Sequence, residues 1–291
     1  MNCLLAVDIG NSALKIGRFP SGGGPGLDAP ERVWEFRYEG CWPRLAAKPP
    51  AFTNDAATLD FRQEAWSEFQ RTLPDFPAQW LVSSVHRERE RALSIWIQSH
   101  RPDDAYRLLT YRDVPLRMEV RAPERVGLDR LATSVAANQL RPALRPAIVV
   151  DAGTALKVHA VSQQGAFLGG SIFPGYRLAG KALAIQTDLL PEVGVSSRDL
   201  PPSPIGKDTE SAIRSGLFWG FAGAAKELVA RVAAELADEP VIFVSGGDAL
   251  GLVTVLGPQA QFVSEMCLRG IARIAAALPG GPAGAVGEAV P

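Results

Sequence analysis

Residues 8–15 read Asp8-Ile9-Gly10-Asn11-Ser12-Ala13-Leu14-Lys15, and a similar pattern returns half a chain later as Asp151-Ala152-Gly153-Thr154-Ala155-Leu156-Lys157. Each copy follows a short apolar run and leads into another strand-like stretch, so each is predicted to be a strand, a turn and a second strand. Glycine lets the backbone approach a ligand closely, and the N–H groups of such a turn can hold phosphate oxygens. The two copies therefore predict a duplicated domain, with a nucleotide-phosphate and metal site in a cleft between the halves.

The composition is that of a globular protein with a sizeable core. The chain has 291 residues, of which 47% are hydrophobic and 21% are charged, and its formal net charge is −1. A net charge near zero argues against a nucleic-acid partner held by bulk electrostatics. Cys3, Cys41 and Cys267 are too few and too far apart for a disulfide framework or a metal site. No stretch has the pattern of a signal peptide or of a membrane span, so we expect a cytoplasmic protein with no membrane partner.

Strand-like and helix-like segments alternate along the chain, which predicts an α/β fold with mixed sheets flanked by helices. Besides the hairpin at 2–19, the predicted strands cover 79–85, 148–150, 157–161, 166–168 and 241–244. The predicted helices cover 66–73, 87–99, 128–138 and 211–236. We expect a surface loop at 21–30, an N-terminal domain at 1–125, a C-terminal domain at 126–278 and a disordered tail at 279–291.

The segment Gly127-Leu128-Asp129-Arg130 places a carboxylate beside a guanidinium at the predicted start of a helix. An aspartate in this position can take a proton from a hydroxyl nucleophile, and an arginine can bind a substrate carboxylate through two hydrogen bonds. The structural alternative is an aspartate that stabilises the helix dipole next to a solvated arginine. From these four residues alone, the structural alternative is favoured.

Two further glycine segments follow predicted strands. Residues 169–175, Gly169-Gly170-Ser171-Ile172-Phe173-Pro174-Gly175, fit either a wall against which a ligand lies or a tight turn between a strand and a helix. Residues 245–248, Ser245-Gly246-Gly247-Asp248, follow the last buried strand, where glycines commonly border a nucleotide pocket. A plain strand-to-helix turn fits them equally well. The chain contains neither a P-loop nor the dinucleotide-binding glycine fingerprint.

In this order, the segments resemble the type III pantothenate kinases, the bacterial family that includes the Bvg accessory factor proteins. That family belongs to the acetate and sugar kinase, Hsp70 and actin superfamily. The resemblance runs from Asp8 to about Ile271 and includes Gly206-Lys207-Asp208-Thr209 with Ser215-Gly216. It implies duplicated actin-like (ribonuclease H-like) domains and a homodimer whose substrate site draws on both subunits. The implied activity is ATP-dependent phosphorylation of pantothenate to 4'-phosphopantothenate, the first step of coenzyme A biosynthesis.

The resemblance also implies roles for the matching residues. Asp129 corresponds to the catalytic base and Arg130 to the residue that faces the pantothenate carboxylate. Asp151 corresponds to the ligand of a monovalent cation, potassium or ammonium, and Asp8 would hold Mg²⁺ through oxygen or water. The first phosphate loop corresponds to Asp8, Ile9, Gly10, Asn11, Ser12, Ala13, Leu14 and Lys15. Thr154 corresponds to a further ATP contact, and Gly246 and Gly247 are expected beside the nucleotide. The remaining substrate positions are Gly127, Leu128, Thr209 and Val120.

Three positions depart from the family pattern. Val120 stands where the family typically has a tyrosine that contacts pantothenate, and Lys157 and His159 stand where it has a threonine and an aspartate. Both changes in the second hairpin add positive or titratable character near the expected cation and phosphates. We hypothesise that the Lys157 ammonium replaces the soluble monovalent cation and makes activity independent of added potassium. The alternative is that Lys157 points to solvent at a strand edge.

Three functions are compatible with these residues. The leading prediction is a pantothenate kinase that uses ATP, Mg²⁺ and either a monovalent cation or Lys157 in its place. The Val120 departure makes a kinase of the same superfamily with another small hydroxyl substrate conceivable. A nucleotide-binding regulatory paralogue with little kinase activity would keep the phosphate loops but tolerate loss of Asp129. The presence of both Asp129 and Arg130 favours catalysis.

Overall fold

The chain folds into two compact units in a computed structural model that describes residues 3–20, 29–38, 64–194 and 200–278. Among these residues, unit 1 combines the chain up to Pro115 with Glu124–Ala132 and the chain from Cys267 onward. Unit 2 combines Leu116–Pro123 with Thr133–Met266. Each unit is thus built from more than one stretch of the chain, and each has its own sheet.

The sheet of unit 1 has five strands: β1 (Cys3–Ile9), β2 (Ala13–Phe19), β3 (Arg32–Arg37), β4 (Ala78–Ser84) and β5 (Ala105–Leu108). Their order across the sheet is β3-β2-β1-β4-β5. The first three strands form an antiparallel meander, whereas β4 runs parallel to β1 and β5 runs parallel to β4. The central strands β1 and β4 are mostly apolar and almost completely buried, as expected for strands that are covered on both faces.

Helices α1 (Glu64–Arg71) and α2 (Arg87–His100) pack on the sheet of unit 1 and bury an aromatic cluster. The Trp66 ring lies 5.0 Å from the rings of Phe36, Phe69 and Trp96, measured between centroids. Large aromatic side chains contribute strongly to core stability because each removes much apolar area from water. This cluster therefore anchors both helices to the sheet.

The sheet of unit 2 also has five strands: β6 (Ala147–Ala152), β7 (Ala155–Val161), β8 (Phe167–Pro174), β9 (Val241–Ser245) and β10 (Ala260–Phe262). Their order is β8-β7-β6-β9-β10. The hairpin partners β6, β7 and β8 are antiparallel, whereas β9 runs parallel to β6 and β10 runs parallel to β9. This is the strand order and the pattern of directions found in unit 1.

Five further α-helices lie within the described residues. Helix α3 (Leu128–Leu140) begins in unit 1 and ends in unit 2, whereas α4 (Tyr176–Gln186), α5 (Thr209–Ala234) and α6 (Ala249–Leu256) belong to unit 2. Asp208 caps α5 by accepting a hydrogen bond from the Ser211 N–H over 2.8 Å. Helix α7 (Met266–Ala277) packs in unit 1, where a Cβ at Gly270 would lie 1.8 Å from the Ala132 carbonyl oxygen.

The two sheets repeat each other down to single residues. Asp8 faces Lys15 on its antiparallel neighbour and Ser83 on its parallel neighbour. In unit 2, Asp151 faces Lys157 on its antiparallel neighbour and Ser245 on its parallel neighbour. The predicted duplication of an α/β domain with a mixed sheet is therefore confirmed.

The observed units differ from the predicted continuous domains 1–125 and 126–278. The first turn of α3 and most of α7 belong to unit 1, where a Cβ at Gly17 would lie 3.1 Å from Leu268 Cδ1. These are contacts between residues distant in sequence, which local patterns do not reveal. Most of the predicted loop (21–28), Cys41 and the predicted tail 279–291 lie outside the described residues.

Most predicted elements have slightly different bounds in the structure, and two of them bear on the candidate site. The predicted helix 211–236 begins earlier, because Asp208 provides the cap, and it ends at Ala234. The predicted strand 166–168 continues to Pro174 as β8, and Gly175 is the N-cap of α4. The tight-turn interpretation of 169–174 is therefore wrong, because these residues pair with β7.

Candidate active site

The first predicted phosphate loop lies at the end of β1 in unit 1. The Gly10 N–H donates to the Ala13 carbonyl over 2.9 Å and closes the turn between β1 and β2. Asn11 at the tip is exposed, and the Oδ1 atom of Asp8 is buried. A carboxylate beside a glycine turn offers an oxygen ligand for Mg²⁺ and backbone donors for phosphate. The loop therefore has the groups that a magnesium–phosphate complex needs.

The carboxyl end of β4 lies beside this loop. The Val85 N–H donates to the Ile9 carbonyl over 3.0 Å, and Ser83 lies opposite Asp8 in the parallel strand pair. The Ser84 hydroxyl accepts a hydrogen bond from the His86 N–H over 3.0 Å. In open α/β sheets, ligands bind outside the carboxyl ends of parallel strands. This edge of unit 1 is therefore the expected position of a site.

The Gly127–Arg130 segment forms the start of α3 and adjoins the same edge. The Gly127 carbonyl accepts hydrogen bonds from the Arg130 and Leu131 N–H groups over 3.1 and 3.3 Å. A Cβ at Gly127 would lie 2.5 Å from Asp129 Oδ1 and 3.8 Å from Val85 Cγ1. Gly127 thus leaves room for the Asp129 carboxylate to fold back over the helix start. Gly127 itself lies next to Val85, the residue that follows β4.

Arg130 lies next to Asp129 and is half-buried. Burial lowers the pKa of the Arg130 guanidinium, and the charge of Asp129 opposes this shift. Arginine keeps its proton in proteins in spite of such shifts, and partial burial strengthens its attraction for an anion. Arg130 is therefore suited to bind the carboxylate of a small acidic substrate.

The second predicted phosphate hairpin joins β6 and β7 in unit 2. Asp151 and Lys157 face each other across this strand pair, and Lys157 Nζ donates to Asp151 Oδ2 over 2.8 Å. The two side chains are only 17% and 19% exposed, respectively. Strand β7 lies between β6 and β8, so it is not a sheet edge. The interpretation of Lys157 as a solvent-facing residue at a strand edge is therefore wrong.

Two glycine segments pack against the turn of this second hairpin. The Gly175 N–H donates to the Thr154 carbonyl over 3.1 Å, and the Asp248 N–H donates to the Ala152 carbonyl over 3.0 Å. Gly246 has a φ of +101°, and a Cβ there would lie 2.2 Å from the Ala152 carbonyl oxygen. The structure therefore brings Thr154 and Gly246 to the same end of the sheet of unit 2.

The remaining predicted positions of unit 2 occupy three different environments. Val120 is half-buried, and its Cγ1 lies 3.3 Å from the Cβ position of Gly169. Thr209 is exposed as the first residue of α5. His159 is completely buried, with Nε2 3.2 Å from Thr133 Oγ1. His159 is therefore part of the core of unit 2 and does not add an exposed titratable group to the hairpin turn.

The sequence did not single out Arg89, a residue that contacts the first phosphate loop. Arg89 belongs to α2, is 2% exposed, and donates from Nη1 to the Asn11 carbonyl over 3.0 Å. It lies in a run of alternating charges, Arg87-Glu88-Arg89-Glu90-Arg91, that is typical of a solvated helix face. No local signal separates Arg89 from its more exposed neighbours in this run.

The described residues contain no group of three or more His, Cys, Asp or Glu side chains that could hold a metal ion. Magnesium is commonly bound through one or two carboxylates together with waters and substrate phosphates. The single Asp8 carboxylate supplied by the first phosphate loop fits that mode of binding. Over the same part of the chain, every helix is too short or too polar to cross a membrane.

Comparison with known protein families gives a match that includes both hairpins and the segment at the start of α3. A model of the type III pantothenate kinase family matches residues 4–231. The chain belongs to the type III pantothenate kinase family. Type III pantothenate kinase of Rhodopirellula baltica is 41% identical over 162 residues, which are 55% of this chain and 57% of that protein.

Other similar proteins include a second member of the type III pantothenate kinase family and a sugar kinase. Type III pantothenate kinase 1 of Symbiobacterium thermophilum is 41% identical over 155 residues, 51% of this chain and 56% of that protein. The aligned region thus spans little more than half the length of either relative. The crystal structure of a glucokinase from an Antarctic psychrotroph is 11% identical, with a TM-score of 0.45, and covers 94% of this chain and 98% of its own.

Proposed function

We propose that this protein transfers the γ-phosphoryl group of ATP to pantothenate and forms 4'-phosphopantothenate, the first step of coenzyme A biosynthesis. The observation that carries the proposal is the position of the Gly127–Arg130 segment beside Val85, the residue that follows β4. The Val85 N–H donates to the Ile9 carbonyl at the end of β1 and so connects this segment to the first phosphate loop. Phosphoryl transfer depends mainly on positioning and on screening of phosphate charge. A base, an anion anchor and a phosphate loop within unit 1 are suited to that chemistry.

Asp129 is the proposed base and Arg130 the proposed anchor of the substrate. A carboxylate can accept the proton of the primary hydroxyl of pantothenate while the oxygen attacks phosphorus. The Arg130 guanidinium pairs with the carboxylate at the other end of the substrate. A side chain at Gly127 would displace the Asp129 carboxylate from its position over the helix start, and Leu128 is the remaining residue of this motif.

The proposed nucleotide contacts are made by glycine turns. Backbone N–H groups of Asp8–Lys15 would hold phosphate oxygens, and Lys15, which faces Asp8 on β2, would add positive charge. Asp8 is the proposed ligand of Mg²⁺, which supplies charge neutralisation of the phosphates when bound. In unit 2, Thr154, Gly246 and Gly247 are the proposed nucleotide contacts.

The Lys157 ammonium is the proposed substitute for a monovalent cation at Asp151. Its nitrogen lies within hydrogen-bond distance of Asp151 Oδ2, and both side chains are largely shielded from water. A potassium or ammonium ion would have to displace the Lys157 ammonium, which is tethered to the chain and attracted to the Asp151 carboxylate in a partly desolvated environment. Activity that does not depend on potassium or ammonium is the expected consequence.

A homodimer formed through unit 2 is also proposed, with pantothenate contacts from Val120 and Thr209. Many large apolar side chains of unit 2 are exposed on the single chain: Ile172, Phe173, Ile185, Leu189, Leu200, Ile205 and Trp219. Exposed apolar surface commonly marks an association site. Sedimentation equilibrium at micromolar concentration should give the mass of a dimer, and the mass of a monomer would contradict this arrangement.

A coupled assay of ADP release tests the proposed reaction. Wild-type protein with ATP and Mg²⁺ should release ADP slowly, and pantothenate should accelerate the release in a saturable manner. A protein that binds ATP but does not respond to pantothenate would instead favour a regulatory nucleotide-binding role.

A kinase for another small hydroxyl substrate is the second candidate. Val120 is the observation that favours it, because a valine cannot make the hydrogen bond that a tyrosine hydroxyl makes. The same assay with other short hydroxy acids separates the two candidates. A higher kcat/KM for one of them than for pantothenate would favour this second function.

A further inference from the structure

Arg89 is a buried arginine at the base of the first phosphate loop. It is the third residue of α2 and is 2% exposed. Its Nη1 donates to the Asn11 carbonyl over 3.0 Å, and its guanidinium carbon lies 3.3 Å from the centre of the Tyr38 ring. The Tyr38 N–H in turn donates to the Ser12 carbonyl over 3.1 Å. The guanidinium thus contacts the first phosphate loop directly through Asn11 and indirectly through Tyr38, which is bonded to Ser12.

No carboxylate within residues 3–20, 29–38, 64–194 and 200–278 pairs with Arg89. The adjacent Glu90 accepts a hydrogen bond from the Tyr106 hydroxyl instead. Burial of a cation without a counter-ion is unfavourable, and the first turn of a helix adds repulsion from the helix dipole. A buried positive charge with no carboxylate partner among the described residues, next to a glycine turn, is suited to attract the anion of a ligand.

The hydrogen bond from Arg89 also fixes the direction of one peptide group in the loop. In a trans peptide the carbonyl and the following N–H point in opposite directions. With the Asn11 carbonyl held toward Arg89, the N–H of Ser12 points to the other side of the loop. Arg89 thus controls the orientation of a backbone donor in the segment that the proposed function assigns to phosphate binding.

We propose that Arg89 is a positioning residue for the nucleotide, and that it acts through the Asn11 carbonyl and through its buried positive charge. The inference rests on the proposed ATP-dependent activity and extends its phosphate subsite to a residue of α2. It predicts that loss of Arg89 weakens the binding of ATP selectively, because the contacts of Arg89 lie at the phosphate loop and not at the Gly127–Arg130 segment.

Full-length R89M and R89K proteins test this role. Binding of a non-hydrolysable ATP analogue is measured by calorimetry, and KM values for ATP and pantothenate are measured by ADP release. R89M should raise the Kd and the KM for ATP about tenfold while the KM for pantothenate changes less than about twofold. R89K should recover part of the loss, because it keeps the charge but not the planar donor group.

R112M is the matched control. Arg112 also lies over a tyrosine ring, 5.6 Å from the centroid of Tyr111, but it is exposed and lies outside the phosphate loop. Its replacement should leave the Kd for the ATP analogue unchanged. If R89M fails to fold, R89K serves as the deciding variant, since it retains a long cationic side chain.

The outcomes separate the positioning role from the proposed function. Folded R89K and R89M with unchanged ATP affinity would overturn the positioning role, and so would equal losses for ATP and pantothenate. Wild-type protein that binds the analogue but does not phosphorylate pantothenate would contradict the proposed function alone, and the binding comparison would still test Arg89. Wild-type protein that does not bind the analogue would overturn both.

Discussion

Lys157 and Asp151 form an ion pair across the second hairpin, with Nζ 2.8 Å from Oδ2 and both side chains less than one-fifth exposed. Lys15 and Asp8 take the same cross-strand register in the first hairpin. Exposed ion pairs contribute little because water screens them, but a shielded pair is held more firmly. The second hairpin thus carries its own cation next to the carboxylate.

The first prediction is that activity is independent of potassium and ammonium. Rates measured at constant ionic strength, with and without either ion, should agree within about twofold, because Lys157 already neutralises Asp151. Lys157→Met should lower kcat/KM by about tenfold or more, since it leaves a half-buried carboxylate without its partner. Added potassium should restore part of that loss.

The control for this experiment is Lys226→Met, which removes an exposed lysine from α5 in the same unit. It should change neither the rate nor the response to potassium. A strict requirement of the wild-type protein for potassium or ammonium would show that Lys157 does not replace the cation.

The second prediction concerns the stability of unit 2. Gly246→Ala should lower the free energy of unfolding by about 2–4 kcal/mol, because φ is +101° and the new Cβ would lie 2.2 Å from the Ala152 carbonyl oxygen. The neighbouring Gly247 is the control for stability, since a Cβ there meets no atom within 4 Å. Urea denaturation of both variants checks the prediction, and similar losses in both would contradict it.

The third prediction is a pH-dependent contribution from Asp104 in unit 1. Its carboxylate is 2% exposed and accepts hydrogen bonds from the Ala78 N–H, the Trp80 indole and the Arg101 guanidinium over 2.8–3.0 Å. Burial alone would raise the pKa of Asp104, but these donors outweigh it and hold the pKa below its usual value. Asp104→Asn should therefore destabilise the protein at neutral pH by about 2 kcal/mol.

The sign of the pH dependence follows from the lowered pKa. Stability from Asp104 is fully present above the unfolded-state pKa of about 3.9 and is lost as the pH falls through the lower folded-state value. The difference in unfolding free energy between wild type and Asp104→Asn should shrink when the pH is lowered from about 6 to about 3. The exposed neighbour Asp103 provides the control variant Asp103→Asn, and a difference that grows on acidification would contradict the prediction.

The duplication of the fold was predictable because its signal is local. An apolar run that ends in Asp-x-Gly, followed by a second strand, appears around Asp8 and again around Asp151, and both form the expected hairpins. The division into units was not predictable, since it depends on contacts such as that between Gly270 and Ala132. Those residues lie far apart in sequence, and no local pattern connects them.

Within the candidate site, residues in compact motifs were predictable and isolated residues were not. Asp129 belongs to a four-residue motif at a helix start, whereas Arg89 is one charge among five in a row. The hairpin register favours a pair between Lys157 and Asp151, but the choice between that pair and a solvent-facing lysine depends on β8, which covers the far side of β7. Tertiary neighbours therefore decide what the sequence leaves open.

The fourth prediction concerns Asp129 as the base. Asp129→Asn should lower kcat about 10²-fold or more, because the amide cannot accept the hydroxyl proton. The KM for ATP should change little, since the variant keeps the phosphate loops. Asp75→Asn, which alters an exposed residue of unit 1, is the control. Unchanged turnover of Asp129→Asn would exclude Asp129 as the base.

The reaction itself is tested most directly by following the transferred group. Wild-type protein is incubated with γ-labelled ATP, Mg²⁺ and pantothenate, and the products are separated and identified by mass. We predict that the label appears on the primary hydroxyl of pantothenate, with one ADP formed for each labelled product. Label recovered only as inorganic phosphate, with pantothenate unmodified, would contradict the proposed kinase activity.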